Sequence, residues 1–267
     1  MSSVAHAVEG AAVITKRNLI KIKRVPDLLV FATLSPIMFV LLFAYVFGSA
    51  IEVPGVNYKE FLMAGIFVQT VIFGSTFTGA SLAEDLQKGV MDRFRSLPMA
   101  RSSVVLGRTV ADVGINIVTL VVMSITGLIV GWRIRSSVLD AVLGYVLLLL
   151  FAYAMSWLMA LVGLMVKTPE LVNNASFMVI FPLTFIANTF VPTDNFPTVL
   201  RVIADWNPVS AVTLAARQAF GNTNPVVPQP DAWPMQHPVV YTLIWVVALL
   251  AIFVPLAVRR YQKTATA

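Results

Sequence analysis

The amino-acid sequence predicts an all-α integral membrane protein. Six transmembrane helices are expected, with an N-terminal interfacial amphipathic helix, a cytoplasmic loop helix after the second span, and short extracytoplasmic helices before the last. Three observations carry this. Of 267 residues, 58% are hydrophobic and 12% charged, with a mean hydropathy of +0.84. A soluble domain carries about 25% charged residues, so this chain has too little polar surface to cover a globule in water, and lipid is the sensible solvent. The apolar residues also gather into six runs, 28–47, 61–82, 104–131, 138–166, 171–190 and 239–258. Finally, the basic residues flank these runs with a preference for one side.

A helix needs about 20 residues to cross roughly 30 Å of hydrocarbon, and all six runs suffice. The third and fourth exceed the need, which implies tilt or an interfacial first turn. Six spans put both termini on the same side. Of the 19 Lys and Arg, fourteen fall on that side: Lys16, Arg17, Lys21, Lys23, Arg24, Lys88, Arg93, Arg95, Arg101, Arg108, Lys167, Arg259, Arg260 and Lys263. Lys59, Arg133, Arg135, Arg201 and Arg217 fall on the other. Positive charge is retained inside, so both termini are expected in the cytoplasm of a multi-pass cell-membrane protein. The first run follows a basic stretch and has no small-residue cleavage site, so no cleavable signal peptide is expected.

Residues 1–27 form the first expected unit. Val4, Val8, Ala11, Thr15, Leu19 and Ile22 recur every three or four positions, with Arg17, Lys21 and Arg24 projecting elsewhere. This pattern fits a helix lying in the interface or a basic anchor of the first span. Residues 28–267 form the transmembrane domain. Within it, the loop 83–103 places Leu86, Val90, Phe94 and Leu97 on one helical face, with Lys88, Asp92, Arg93 and Arg95 around the rest. Pro98 disfavours helix at Leu97 and ends the pattern. The apolar stripe either packs on the protein's own membrane face or docks a soluble partner. Glu84 and Asp85 are read as capping this helix.

The segment 191–238 lies outside and holds eight of the 15 prolines. One short helix is expected after Asp194, Asn195 and Pro197. A second, 210–220, follows Asn207 as N-cap and Pro208 at the first helical position. The stretch 221–238 reads as extended.

Pro36, Pro182 and Pro255 fall inside spans, as tolerated kinks or as hinges. Gly127 and Gly131 form a small-xxx-small pair suited to close helix approach. Arg108 and Asp112, one turn apart in the third span, are spaced for an ion pair, and Asn116 and Thr119 extend their polar stripe. Such groups either bond between helices or contact a substrate. Asp140 lies near the outer end of its span, where it is wet.

Much chemistry is absent from the sequence. With no cysteine, thiolate sites and disulfides are excluded. No G-x-x-x-x-G-K-[ST] loop cradles phosphate. His6 and His237 belong to no H-E-x-x-H motif, and no carboxylate pair sits within the membrane. The chain therefore reads as a non-enzyme with no cofactor or metal of its own. The basic excess serves membrane orientation rather than nucleic acid. Sparse charge at mid-membrane suits a hydrophobic or amphipathic substrate.

Several local patterns occur in order. Tyr58-Lys-Glu-Phe61 leads to Gly65 and Gln69. Glu84-Asp85 precedes Gly89, Arg93, Leu97-Pro98, Arg101 and Gly107-Arg108. Phe181-Pro182 and Phe185 precede Phe190-Val-Pro192, Phe196-Pro197, Asn207-Pro208 and Arg217. This set, across 57–217, resembles the type-2 ABC exporter permeases, in their daunorubicin-resistance-like drug exporter branch. The resemblance implies a membrane subunit working with two cytosolic ATP-binding-cassette ATPase subunits, which bind ATP and magnesium, and with a second permease, identical or sister. Export as the direction rests on the resemblance too. The loop helix 86–97 becomes the coupling helix, and the N-terminal helix resembles the family's connecting helix.

Glu84, Leu86, Gly89, Val90, Arg93, Phe94, Arg95, Leu97 and Pro98 are then expected to meet the ATPase. Gln69, Phe73, Phe77, Met178, Phe181 and Phe185 are expected along the substrate path, since aromatic and Met side chains suit adaptable apolar recognition. Two alternatives stand beside drug export: a permease for a cell-envelope glycan or lipid precursor, and a carrier or channel that works without an ATPase.

Overall fold

A computed structural model of the chain describes residues 3–24, 26–48, 51, 53, 55–90, 102–166, 168–194, 196–223 and 230–264. Among these every regular element is helical. Five helical stretches are long and apolar enough to cross a membrane by length and composition: Tyr58–Gln87, Ser102–Val130, Val138–Met165, Pro169–Ile186 and Pro238–Lys263. A shorter apolar helix, Thr33–Phe47, occupies the place of the first expected span.

Helix α1 (Ser3–Arg24) precedes α2 (Pro26–Leu41), which runs on as a π-helical turn over Leu42–Phe47. The second span is two helices. In α3 (Tyr58–Gly74) the Asn57 side chain caps the start by accepting from the Lys59 amide. After Ser75 the chain resumes as α4 (Thr76–Gln87). The sequence explains the break. Ser75 Oγ donates to the Ile72 carbonyl at 2.6 Å and Thr76 Oγ1 to that of Phe73 at 2.7 Å. Gly and Ser together are a recognised cause of helix kinks.

Helix α5 (Ser102–Val130) has 29 residues, about 44 Å at the helical rise, well beyond the hydrocarbon thickness. Helix α6 (Val138–Met165) is capped by Ser137, which accepts from the Asp140 amide, and Asp140 is exposed. In α7 (Pro169–Ile186), Thr168 caps and Pro169 takes the first turn. The short α8 (Thr198–Asp205) is followed by α9 (Pro208–Phe220), with Asn207 as N-cap and Gly221 ending it at φ 70°. Helices α10 (Trp233–Gln236) and α11 (Pro238–Thr264) complete the order.

The α3–α4 pair is the centre of the molecule: 72% of its most apolar stretch is buried, against 17% for α11. Helix α6 packs on α4, α9 and α11. Close approach rests on glycines the sequence did not single out. A Cβ on Gly163 would stand 2.2 Å from the Gly79 carbonyl oxygen, so α4 and α6 touch backbone to backbone. The expected pair behaves differently. Gly127 does meet Met63 and Trp132, but Gly131 has φ 112° with nothing near its Cβ position, and it serves to end α5.

Three further expectations are corrected. The stripe beginning at Leu86 is not continuous helix, because α4 ends at Gln87 and Gly89 takes a left-handed φ of 64°. Glu84 and Asp85 therefore lie in the last turn of α4 rather than capping a new helix. The stretch 221–238 is not wholly extended, since α10 interrupts it.

Candidate functional site

A cavity of about 340 Å³ lies where α2, the α3–α4 junction, α5 and α7 meet. Ser35, Pro36 and Phe39 come from α2, and Gln69, Thr70, Phe73 and Gly74 from α3. Thr76 and Phe77 come from α4, Ile115, Asn116 and Thr119 from α5, and Phe177 and Phe181 from α7. The cavity lies at the junction at Ser75, and residues on both sides of that junction line it. Gly74 keeps it accessible to Asn116, whose Oδ1 would stand 2.8 Å from a Cβ there. The walls combine five phenylalanines with six neutral polar side chains and carry no charged one. That chemistry takes an apolar body with a few hydrogen-bonding edges.

Four of the six side chains expected on a substrate path, Gln69, Phe73, Phe77 and Phe181, line this cavity together. Met178 and Phe185 do not. Met178 is 77% exposed on the outer face of α7. Phe185 stacks on Phe181 with centroids 4.1 Å apart, one turn beyond the cavity. The stack continues through Phe190 (4.9 Å) to Phe43 (4.7 Å) and Phe47 (5.0 Å). An aromatic file thus leads from the cavity toward the end of the bundle that carries α8 and α9. Reading the sequence missed Ser35, Phe39, Thr70, Thr76 and Phe177. Phe177 had a signal, standing one helical turn before Phe181.

On the loop side of the cavity Arg108 meets Asp112 at 3.2 Å. Thr78 Oγ1 donates to the same carboxylate, and Asn116 Nδ2 donates to the Asp112 carbonyl at 3.0 Å. Both charged side chains are nearly inaccessible. A buried pair of this kind does little for net stability, but breaking it costs about 3–5 kcal/mol because one charge is left alone. Through it α4 is tied to α5 beside the cavity, Thr78 donating to Asp112 and Arg108 Nη2 donating to the Phe77 carbonyl at 3.4 Å.

The opposite end is held by Arg217 of α9. Its guanidinium donates to the carbonyls of Phe61 (2.9 Å), Asn188 (2.6 Å) and Thr189 (3.1 Å) and stacks 3.5 Å from the Phe61 ring. Burial pushes it down to about 9, still protonated at neutral pH. Tyr58 adds a donor to the Phe190 carbonyl at 3.0 Å. Gly65 lets Thr189 lie against α3, since a Cβ there would be 1.9 Å from the Thr189 oxygen. Asn207 Nδ2 donates to the Leu183 carbonyl at 2.7 Å, at the end of α7. Tyr58, Phe61, Gly65, Phe190, Asn207 and Arg217, scattered through the motif set, thus form one knot. Outside it, Glu60 holds Arg135 through both carboxylate oxygens at 2.9 and 3.1 Å, and this bond raises the guanidinium above its ordinary value.

At the loop, Glu84 pairs with Lys88, and Asp85 with Arg17 at 3.6 Å, linking α4 to α1. Leu86 packs against the cluster of Leu82, Val104 and Trp157. Val90 is half-buried. Arg93, Phe94, Arg95, Leu97 and Pro98 lie outside the described residues. Among the described residues no group of His, Cys, Asp or Glu is arranged to hold a metal.

The sequence profile of the ABC-2 type transporter family matches residues 10–220. The daunorubicin resistance ABC transporter permease protein DrrB1 of Streptomyces coeruleorubidus is 32% identical over 261 residues, covering 97% of this chain and 89% of that protein. A probable doxorubicin resistance ABC transporter permease protein, DrrC of Mycobacterium tuberculosis, is 24% identical, covering 88% of this chain and 82% of its own. A putative transport permease, ycf38 of Cyanophora paradoxa, is 24% identical over 76% of this chain and 71% of its own.

Proposed function

The chain belongs to the ABC-2 type transporter family, as a membrane permease subunit, and from that premise we propose that it exports a hydrophobic or amphipathic drug-like compound. The observation that carries the reading is the cavity between α2, α3–α4, α5 and α7, aromatic and uncharged, in a chain similar to daunorubicin and doxorubicin resistance permeases. The chain has no phosphate-cradling loop of its own, so ATP and magnesium belong to separate ATPase subunits. Two of these act on two permease chains, each crossing the cell membrane six times with both termini in the cytoplasm.

In this mechanism ATP closes the two ATPases, each gripping one loop 83–103. The motion passes into α4, which adjoins the loop and lines the cavity through Thr76 and Phe77. Phe94, Leu97 and Val90 supply the apolar grip, and Arg93 and Arg95 set its register. Rigid-body rocking of the two halves then exchanges inward and outward access. Substrate rests against Gln69, Phe73, Phe77 and Phe181 and leaves along the aromatic file through Phe185, with Met178 facing the second permease.

Two substitutions in the assembled transporter test this. Phe181→Ala is expected to lower drug export several-fold while the ATPase still co-purifies. Phe94→Asp is expected to abolish co-purification and export while membrane insertion is unchanged. Normal export from Phe181→Ala overturns the cavity as the path, and normal co-purification of Phe94→Asp overturns the grip.

A further inference from the structure

Helix α1 lies along the first turns of α5, with a Cβ on Gly107 meeting Ala11 and Ile14 and one on Gly114 meeting Leu19. Thr15 Oγ1 fastens the two by donating to the Gly107 carbonyl at 3.0 Å. Beside this contact runs an open groove of about 620 Å³. Ala12, Leu19 and Ile20 form one wall and Leu106 and Val110 the other, with Lys16 at the rim as the one charged side chain of the lining. No acidic group lines it. The neighbouring Arg17 is engaged by Asp85, whereas Lys16 makes no ion pair among the described residues and is exposed.

The apolar wall does not stop at the groove. Ile117, Val121 and Ile125, each about half exposed, carry it along the same side of α5. A slot of this kind joins the apolar exposed surface of a span to a lone ammonium midway along its lining. A soluble anion would satisfy only Lys16, and a neutral lipid only the walls. A ligand with a methylene chain and a negative head satisfies both.

We propose that this groove is a binding site for an anionic phospholipid, its acyl chain along Leu106 and Val110 and its phosphate on Lys16. Basic pockets between helices near a membrane surface take such headgroups, and the lysine stem can lie along the apolar wall with its charge outward. The site is separate from the transport cavity, so α1 is fixed to α5 partly through the lipid, and lipid composition sets how firmly.

The test uses the full chain in nanodiscs of phosphatidylcholine and phosphatidylglycerol, with retained lipid read by native mass spectrometry. Phosphatidylglycerol is expected to be retained over phosphatidylcholine by about fivefold, the weight of one basic side chain at an anionic surface. Lys16→Gln is expected to remove the preference and Lys16→Arg to keep it. Ala12→Trp, which fills the slot from an exposed position, is expected to reduce retention of both lipids. Soluble glycerol phosphate is expected not to displace the bound lipid. Equal retention of the two lipids, an unchanged preference in Lys16→Gln, undiminished retention in Ala12→Trp, or displacement by glycerol phosphate each overturns the proposal. So does a photo-crosslinking residue at Ala12 that captures a second copy of the chain instead of lipid.

Discussion

Arg217 shows how one side chain can set the geometry of a whole end of the molecule. A buried cation with no carboxylate partner is costly, and here, among the described residues, three carbonyls and one aromatic ring replace its water. The planar fork of a guanidinium reaches several acceptors at once, and an ammonium on a flexible stem does not. Arg217→Lys is therefore expected to leave at least one carbonyl without a donor, at about 1–3 kcal/mol each, and to lower the thermal midpoint of the purified protein in detergent. An unchanged midpoint would show that the fork is not what holds the knot. Gly65 works by absence in the same place, because only a residue without Cβ lets Thr189 rest on α3. Neither role was legible beforehand. The resemblance picked out Gly65 and Arg217 as members of an ordered set, but nothing in their spacing says that they meet.

At the scale of elements, the second span is the decisive one. As a single apolar run it reads as a plain crossing helix, yet hydroxyls at Ser75 and Thr76 take carbonyls of the preceding turn and divide it. The upper half is largely buried, and the lower half lines the cavity through Thr76 and Phe77 and leads into the loop. Its end is set by Gly89, whose left-handed φ of 64° suits glycine. A side chain in that conformation costs roughly 1–2 kcal/mol. Gly89→Ala is thus expected to favour continuing α4 straight into the loop and to misdirect it. In the assembled transporter, ATP hydrolysis should persist while drug export falls. Export that keeps pace with hydrolysis would mean that the turn at Gly89 has no part in transmission.

For the whole molecule, burial is distributed unevenly among the helices. The α3–α4 pair is enclosed, whereas α7 and α11 present broad apolar faces, with Phe177, Met178 and Val179 of α7 more than half exposed. In a membrane such faces meet lipid or another apolar protein surface. Orientation follows from basic residues around the spans, and the chain offers a direct check because it has no cysteine. Val138→Cys, at an exposed position, is expected to react with an impermeant maleimide in intact cells. Gln262→Cys is expected to react only after permeabilisation. The reverse pattern would invert the topology and move the loop 83–103 away from any cytosolic ATPase.

What the sequence determined by itself is whatever depends on composition and on near neighbours along the chain. Low charge and apolar runs of 20 residues or more dictate a helical membrane protein, because lipid offers backbone groups no other partners. Local spacing also yields the Arg108–Asp112 pair and the cap of α9 at Asn207-Pro208. Tertiary structure alone decided what depends on distant parts of the chain meeting: the contact of Gly79 with Gly163, the carbonyl cradle of Arg217, and a cavity drawn from four helical regions. Gln69, Phe73, Phe77 and Phe181 could be chosen by residue type, but Ser35, Phe39 and Thr70 join them only through packing. Periodicity fixes which face of a helix is apolar. Which partner covers that face is settled by close-packed shape, and no single stretch of sequence contains that information.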